Sequence, residues 1–248
     1  GSAISDELRL AALFHDSVYD PLSKSNEEDS CLLFRRMADE WGLEVDRKRV
    51  ETLIMATKDH FRDWKDVECA ALVDADMSVF DHAEQLFSFE RGIFLEYQRL
   101  PLGEYLAGRK AFLEKVSRHF GVHTVRGRNA EVLKDIVRSK VYRIGIYAGS
   151  FNPFHVGHED ICLQAEAVFD KVIIAQGFNR DKERPPRMKT LRRQLISYDG
   201  LLSDLFAPEE HCTKYLIRGL RNSFDVAYED SLRNTLMDMR PDIDIVYF

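Results

Sequence analysis

The first half of the chain carries its apolar residues at the spacing of amphipathic helices. Between residues 1 and 138 they recur three and four positions apart, and the alternation typical of strands is scarce. The clearest examples are Leu10, Leu13 and Phe14, then Leu32, Leu33 and Met37, then Val50, Leu53 and Ile54. Since side chains three or four residues apart share one face of a helix, this pattern predicts an all-α domain.

The pattern changes near residue 140. Short runs rich in β-branched and aromatic residues predict strands over 142–148, 171–176, 215–217 and 243–248. Helical spacing between these runs predicts helices over 157–169, 187–199 and 224–239. Alternating strands and helices imply right-handed crossovers and a Rossmann-like α/β fold with a parallel sheet. We therefore expect two domains, residues 1–138 and 139–248.

The composition places the chain among soluble globular proteins. Of its 248 residues, 45% are hydrophobic and 31% are charged, which is enough apolar material for a core. A formal net charge of −7 lacks the broad basic footprint of a nucleic-acid-binding protein. No apolar run approaches the roughly 20 residues that cross a bilayer. From the charge and the short apolar runs we expect partners that include neither nucleic acid nor membrane. The four cysteines form no CxxC pair, so we expect a cytoplasmic protein.

Residues 149–158 (GSFNPFHVGH) follow a predicted strand and open a predicted helix. In open α/β sheets, ligands bind beyond the carboxyl ends of the strands, and a helix N-terminus there favours an anion. His155 and His158 are three residues apart, so both can face the same phosphates. The segment lacks the Lys-Ser/Thr pair of a P-loop. It therefore indicates a phosphate site of another kind.

Two groups of cations follow the next predicted strands. Residues 180–193 include seven basic and two acidic side chains, a local charge of +5 that would hold a second anion or form a solvated loop. Arg218 ends the third predicted strand and Arg221 follows three residues later, so both can offer planar guanidinium groups to phosphates. Three strand ends thus bring donors to one sheet edge. This arrangement suits phosphoryl or nucleotidyl transfer, in which catalysis consists of positioning and charge stabilisation.

These motifs resemble those of a known enzyme family. GSFNPFHVGH resembles the (H/T)xGH motif of the nucleotidyltransferase superfamily, and LIRGLRNSFDVAYE with RPDIDIVYF resembles phosphopantetheine adenylyltransferase over residues 141–248. The resemblance implies adenylyl transfer from ATP, with Mg²⁺, to 4′-phosphopantetheine, giving dephospho-coenzyme A and pyrophosphate. It implies catalytic roles for His158, Lys182 and Arg218, of which the last two would also hold the acceptor phosphate. It further implies that ATP is bound by Ser150, His155, Gly157, Arg221 and Glu229.

The sequence departs from the adenylyltransferase family at several positions. Leu236 aligns with a family Asn that contacts pantetheine, Asn152 replaces an Asp, and His155 stands where the family usually has Thr. The family's ISSS segment would lie beyond Phe248, so we expect a domain truncated at its C-terminus. The resemblance also implies a homo-oligomer. Because GSFNPFH also resembles nicotinamide- and nicotinate-mononucleotide adenylyltransferases, the acceptor stays open.

The helical half contains its own candidate chemistry. His15 and Asp16 close an apolar helix, and an imidazole with a carboxylate can ligate one cation. The series AALFHDSVYDP, SNEEDS, LIMATKDH and LVDADM resembles predicted metal-dependent phosphohydrolases of the HD superfamily, over residues 5–135. The resemblance implies His15, Asp16 and Asp76 as ligands of a divalent transition metal, with Asp74 in reserve. It implies hydrolysis of phosphate esters by a metal-activated water.

One feature of this half leaves its activity open. The HD superfamily takes its first His ligand from a preceding helix, and residues 1–14 contain no His. The leading hypothesis is an adenylyltransferase fused to an HD-type domain. The second makes metal-dependent nucleotide phosphohydrolysis the main activity, beside a degenerate transferase domain. The third treats the chain as a binding or assembly module.

Overall fold

A computed structural model of the chain describes residues 4–178, 192–220 and 223–248; within 223–228 it describes the backbone and the side chain of Val226. The chain divides into two compact units. The first comprises Gly1–Tyr97 and Gly108–Asp135, and the second comprises Gln98–Ala107 and Ile136–Phe248. Every helix in the described ranges is too short or too polar to cross a bilayer.

The first unit is helical, as the spacing of its apolar residues predicts. Its helices are α1 (Asp6–Phe14), α2 (Asn26–Trp41), α3 (Arg47–Ala56), α4 (Val67–Asp76) and α5 (Leu86–Glu96), with 3₁₀ turns at Met77–Asp81 and Ala83–Gln85. Helices α6 (Leu102–Phe120) and α7 (Val125–Ser139) contribute residues to both units. The side chains of Ser5 and Asp66 accept hydrogen bonds from backbone N–H groups in the first turns of α1 and α4.

One apolar cluster joins the first four helices. Ala11 of α1, Phe34 of α2 and Leu53 of α3 are fully buried there, and Leu72 of α4 is 5% exposed. Burial of such side chains is worth about 1.5–3 kcal/mol each for the larger ones. This packing brings the C-terminal ends of α1 and α4 within reach of each other.

The second unit is a five-stranded parallel sheet with helices, which confirms the predicted α/β class. Its elements are β1 (Tyr142–Gly149), α8 (Val156–Glu166), β2 (Lys171–Gly177), β3 (Gln194–Tyr198), β4 (Cys212–Arg218), α9 (Ser223–Met239) and β5 (Asp244–Tyr247), with a 3₁₀ turn at Leu202–Phe206. The strand order is β3-β2-β1-β4-β5. The chain moves from β1 to one side and later returns to the other, so a crevice opens at the carboxyl ends of β1 and β4.

The helix predicted over 187–199 is wrong in its described part. Gln194–Tyr198 forms β3, which pairs in parallel with β2, Ile173 opposite Gln194 and Gly177 opposite Tyr198. Residues 187–191 lie outside the described residues. Leu191 and Leu195 have helical spacing, but over so short a segment this spacing does not separate helix from strand. The hydrogen bonds to β2 decide for the strand.

Candidate functional sites

The segment between β1 and α8 is held by a reciprocal histidine cap. His155 precedes α8, and its Nδ1 accepts a hydrogen bond from the Gly157 N–H at 3.2 Å. In return, the His155 N–H donates to Nδ1 of His158 at 3.2 Å. This arrangement fixes the first turn of the helix, whose dipole places partial positive charge at the same end. The geometry therefore suits a bound anion at the N-terminus of α8.

The His158 ring is clamped among aromatic side chains. It stacks on His155 with ring centroids 3.7 Å apart, and it meets Phe151 edge-on at 5.2 Å and Phe154 at 5.3 Å. Because Nδ1 of His158 accepts a backbone N–H, the neutral ring carries its proton on Nε2. An N–H at this position can donate to a phosphate oxygen without protonation of the ring.

A cavity of about 840 Å³ opens at the carboxyl edge of the sheet, and we call it the sheet-edge cavity. Among the predicted site residues, the following line it: Ser150, His155, Gly157, His158, Arg218 and Glu229. Tyr198, Leu201 and Leu202 add an apolar wall. The structure thus brings the imidazole of His158 and the guanidinium of Arg218 to one cavity, and the volume is that of a site for a nucleotide-sized ligand.

Arg218 meets a carboxylate on α9. Its Nε donates to both carboxylate oxygens of Glu229, at 2.8 and 3.0 Å, and Nη2 donates to Oε1 at 2.5 Å. Nη1 donates to the carbonyl of Ala148 at 3.2 Å. Glu229 is only 5% exposed, so this ion pair lies largely out of water. The contacts fix the guanidinium at the end of β4, and they give Glu229 a contact with Arg218 that the sequence did not predict.

Several predicted cations are not seen at the cavity. Arg221 lies outside the described residues, as do five of the seven basic side chains between residues 180 and 193, Lys182 among them. The two described ones face α8 instead. Arg193 is 6% exposed and pairs with Glu159 and Glu166, and Arg192 lies 3.6 Å from Glu166. Acidic residues of α8 thus engage Arg193, whereas the Arg192 side chain is 71% exposed, and anion binding by this basic group stays a prediction.

Two residues that position the cavity wall were missed by the sequence reasoning. Gln176 is fully buried near the end of β2, and its Nε2 donates to the carbonyl of Ser150 at 3.3 Å. The signal in the sequence was a polar residue directly after the apolar run 172–175. Gly219 follows β4 where a Cβ would come within 2.4 Å of Ile161 on α8. A larger residue at this position would have to displace the end of the Ile161 side chain.

A second cluster of chemical groups lies in the first unit. His15, Asp16 and Asp76 each offer a ligand atom, and these atoms lie within 4.8 Å of one another. His15 Nε2 is 3.6 Å from Asp16 and 3.7 Å from Asp76, while His60 Nε2 lies 2.7 Å from Asp76 Oδ2. We call these four residues the His–Asp cluster. His15 follows α1 and Asp76 ends α4, so two helix C-termini add negative dipole ends that favour a cation.

The charges of the His–Asp cluster are strongly coupled. The carboxylate of Asp76, 3.7 Å from Nε2, is the main cause that raises the pKa of His15, although burial opposes it. Burial raises the pKa of Asp16, with the nearby Asp76 acting in the same direction. Burial alone would also raise the pKa of Asp76, but hydrogen bonds from His15 and His60 outweigh it and hold that pKa below its usual value.

The ring of His15 is oriented for ligation. Its Nδ1 donates to the carbonyl of Ala12 at 2.9 Å, so Nε2 faces the two carboxylates and can ligate a metal once it has lost its proton. Asp74, the reserve ligand, points elsewhere and pairs with Arg126 at 2.5 Å. His60 was not among the predicted ligands, and its contact with Asp76 is set by packing between segments 16 residues apart.

Comparison with known proteins identifies the second unit. The Cytidylyltransferase-like family matches residues 146–243. A phosphopantetheine adenylyltransferase of Cytophaga hutchinsonii is 38% identical over 117 residues, which cover 42% of this chain and 77% of the relative. Enzymes of the same name from Mycoplasma capricolum and Helicobacter pylori are each 33% identical over 118 residues, covering 43% of this chain and 84% and 74% of the relatives.

The matched region contains the carboxyl end of β1, all of α8 and the sequence from β4 into α9, which are the elements that build the sheet-edge cavity. A nucleotidyltransferase fold, a cavity shared by His158 and Arg218, and these identities agree with one another. Through its second unit, the chain belongs to the phosphopantetheine adenylyltransferase family of nucleotidyltransferases.

Proposed function

We propose that the second unit transfers the adenylyl group of ATP to 4′-phosphopantetheine, forming dephospho-coenzyme A and pyrophosphate. The observation that carries this proposal is the sheet-edge cavity, in which His158, the N-terminus of α8 and Arg218 meet. A cationic guanidinium at the end of β4 and a positive helix end that follows the adjacent strand β1 suit two phosphorylated reactants bound side by side.

In the proposed reaction, a phosphate oxygen of the acceptor attacks the α-phosphorus of ATP, and the bond to pyrophosphate breaks. His158 donates from Nε2 to the α-phosphate oxygens, where negative charge increases in the transition state. The clamp of His155 and Phe151 keeps this donor in place, so little reorganisation is needed when charge develops. No covalent bond to the protein is required.

Arg218 holds the acceptor phosphate in this proposal. Its contacts with Glu229 and the Ala148 carbonyl fix the guanidinium plane at the end of β4, next to the cavity. A guanidinium has five N–H donors, so in the proposal Arg218 donates to the acceptor phosphate while it keeps these contacts. Lys182 and Arg221, which the family resemblance assigns to acceptor and ATP, complete the cationic set in the proposal although they lie outside the described residues.

Mg²⁺ enters this site with ATP. Glu229 is the sole carboxylate among the described residues that line the cavity, and it is engaged by Arg218. A donor set of this kind fits an ion carried by phosphate oxygens and water rather than by protein carboxylates. When bound, the ion neutralises charge on the leaving pyrophosphate.

The test is pyrophosphate release from ATP with one acceptor at a time. Release that requires 4′-phosphopantetheine and gives dephospho-coenzyme A supports the proposal. Release that requires nicotinamide or nicotinate mononucleotide would keep the nucleotidyltransferase chemistry and replace the acceptor. The absence of release with all three acceptors would contradict the proposed adenylyl transfer.

A second activity is favoured by the His–Asp cluster, namely metal-dependent hydrolysis of phosphate esters by the first unit. The donor chemistry fits a divalent transition metal, because one correctly oriented imidazole and two carboxylates converge within 4.8 Å. His15, Asp16 and Asp76 would hold the ion, and His60 would orient Asp76 through its hydrogen bond. A metal bound there lowers the pKa of a water so that it can attack a phosphate ester.

Calorimetric titration of the purified chain with Mn²⁺ or Co²⁺, followed by phosphate release from nucleotides, tests this second activity. Phosphate release that stops on chelation and in Asp16→Ala supports hydrolysis. Metal binding without hydrolysis would indicate a structural or regulatory site. If neither metal binding nor adenylyl transfer is found, the chain is a binding or assembly module.

A further inference from the structure

Arg193 is a buried cation next to the helix that carries His158. It immediately precedes β3 and is 6% exposed. Its Nη1 donates to both carboxylate oxygens of Glu159, at 2.8 and 2.9 Å, and its Nε donates to Glu166 at 2.6 Å. One guanidinium therefore joins the start of β3 to both ends of α8.

The two acidic partners occupy different positions relative to the sheet-edge cavity. Glu159 directly follows His158 in the first turn of α8, and Glu166 is the last residue of the helix. They are seven residues apart, so about 10 Å of helix separates them along its axis. Only Glu159 places a carboxylate beside the end of the helix that suits an anion.

An unpaired carboxylate at Glu159 would oppose nucleotide binding. Like charges that are partly shielded from water repel each other over several ångströms, and the triphosphate of ATP carries several negative charges. The two hydrogen bonds from Arg193 balance the charge of Glu159 and hold the carboxylate against β3. The same contacts fix the turn that presents His158.

We propose that Arg193 is a positioning residue for ATP: it neutralises Glu159 and holds the first turn of α8 in its nucleotide-binding conformation. This inference rests on the proposed ATP-dependent function. It assigns unequal roles to two otherwise similar contacts, because the pair with Glu159 serves binding whereas the pair with Glu166 serves only the attachment of the helix.

The experiment measures the ATP dissociation constant of the full chain by calorimetry, and its melting temperature, in three variants. Arg193→Met should weaken ATP binding about tenfold. Adding Glu159→Gln to this background should restore the constant to within about threefold of the unaltered chain, because the repelling charge is gone. Adding Glu166→Gln is the matched control, and it should leave ATP binding weak even where it restores the melting temperature.

Arg193→Gln, which is uncharged but still donates hydrogen bonds, provides a second background in case the Met variant does not fold, and the same two Glu→Gln changes apply to it. Equal rescue by Glu159→Gln and Glu166→Gln, or ATP binding that follows the melting temperature alone, overturns the inference and reduces Arg193 to a structural residue. Failure of the unaltered chain to bind ATP would instead remove the proposed function itself.

Discussion

The sheet-edge cavity and the His–Asp cluster suit ligands of opposite charge, and the chain builds the two sites in different ways. The cavity is suited to anions, and its central part comes from one continuous stretch in which a strand, a turn and a helix follow each other. The His–Asp cluster is suited to a cation, and its residues come from three segments, at His15, His60 and Asp76. Consecutive residues and a helix end supply most of the first site, with Arg218 added from β4, whereas side chains from separate segments supply the second.

This difference affects how each site can be recognised in an amino-acid sequence. A site built by consecutive residues constrains a contiguous motif, and the match over residues 146–243 covers that motif. A site assembled from side chains far apart in the chain corresponds only to isolated residues in the sequence. Its identification depends on geometry, such as the orientation of His15 by the Ala12 carbonyl.

Replacement of His158 gives the largest expected effect on the anion site. His158→Ala should lower the rate of adenylyl transfer roughly 10²–10³-fold, since one transition-state donor is lost. Metal binding by the first unit should not change. His82→Ala, at an exposed histidine of the first unit, is the control. A rate within threefold of the unaltered chain would remove His158 from the proposed mechanism and break the contrast between the two sites.

Replacement of Asp76 tests the cation site in the same way. Asp76→Asn should weaken binding of Mn²⁺ or Co²⁺ by about 10–100-fold, because a charged ligand is lost and His15 and His60 face a neutral amide in place of a carboxylate. Asp74→Asn is a matched control two residues earlier on α4, where the carboxylate faces Arg126. Equal metal affinities in the two variants, measured by calorimetry, would show that the cluster is an ordinary ion-pair network.

Replacement of Arg218 should have a smaller effect that separates binding from stability. Arg218→Ala should raise the KM of the phosphorylated acceptor about tenfold with a smaller change in kcat, and it should lower stability because the Glu229 carboxylate is left buried without its partner. The double variant Arg218→Ala with Glu229→Gln should regain stability but not the acceptor KM. An unchanged KM in the single variant would contradict the assignment of Arg218.

The smallest expected effect concerns Asp170, a carboxylate whose partners differ from those of Asp76. Asp170 accepts hydrogen bonds from the Arg143 N–H at 2.8 Å and from Lys140 at 2.9 Å. Burial would raise the pKa of Asp170, but these hydrogen bonds outweigh it and hold that pKa below its usual value of 3.8. Its contribution to the free energy of unfolding is therefore present above pH 3.8 and is lost as pH falls through the lowered native pKa.

Asp170→Asn should accordingly lower the free energy of unfolding by about 1 kcal/mol at pH 6, with the difference from the unaltered chain shrinking toward pH 2. Denaturant unfolding at several pH values measures this difference, with Asp230→Asn as the exposed control. If the difference in unfolding free energy between the two chains did not change with pH, the charge of Asp170 would not contribute to stability. Unlike Asp76, whose partners are histidines, Asp170 should keep this behaviour whether or not metal is added.

Local patterns predicted most of the secondary structure of this chain. The helical spacing of the first half and the apolar runs of β1, β2, β4 and β5 appear in the structure close to their predicted positions. They could be predicted because each element follows from a period of its own residues and is then reinforced by the core. The phosphate-type turn at 149–158 was equally visible, because its glycines and histidines lie within ten consecutive residues.

Partner choice among charged side chains could not be predicted in this way. Arg193 and Arg218 look alike in the sequence as cations close to strands, but one pairs with α8 and the other lines the sheet-edge cavity beside Glu229. The same limit applies to β3, whose residues have a helical spacing until the hydrogen bonds of β2 are considered.

The sequence by itself determined the order of helices and strands except at β3, and it determined the turn that precedes α8, since these depend on residues close together in the chain. The tertiary structure alone decided that Arg193 neutralises Glu159 and that His60 contacts Asp76. The reason is physical: a long charged side chain can reach many partners, and the one it pairs with is set by distances that only the packing of remote segments fixes.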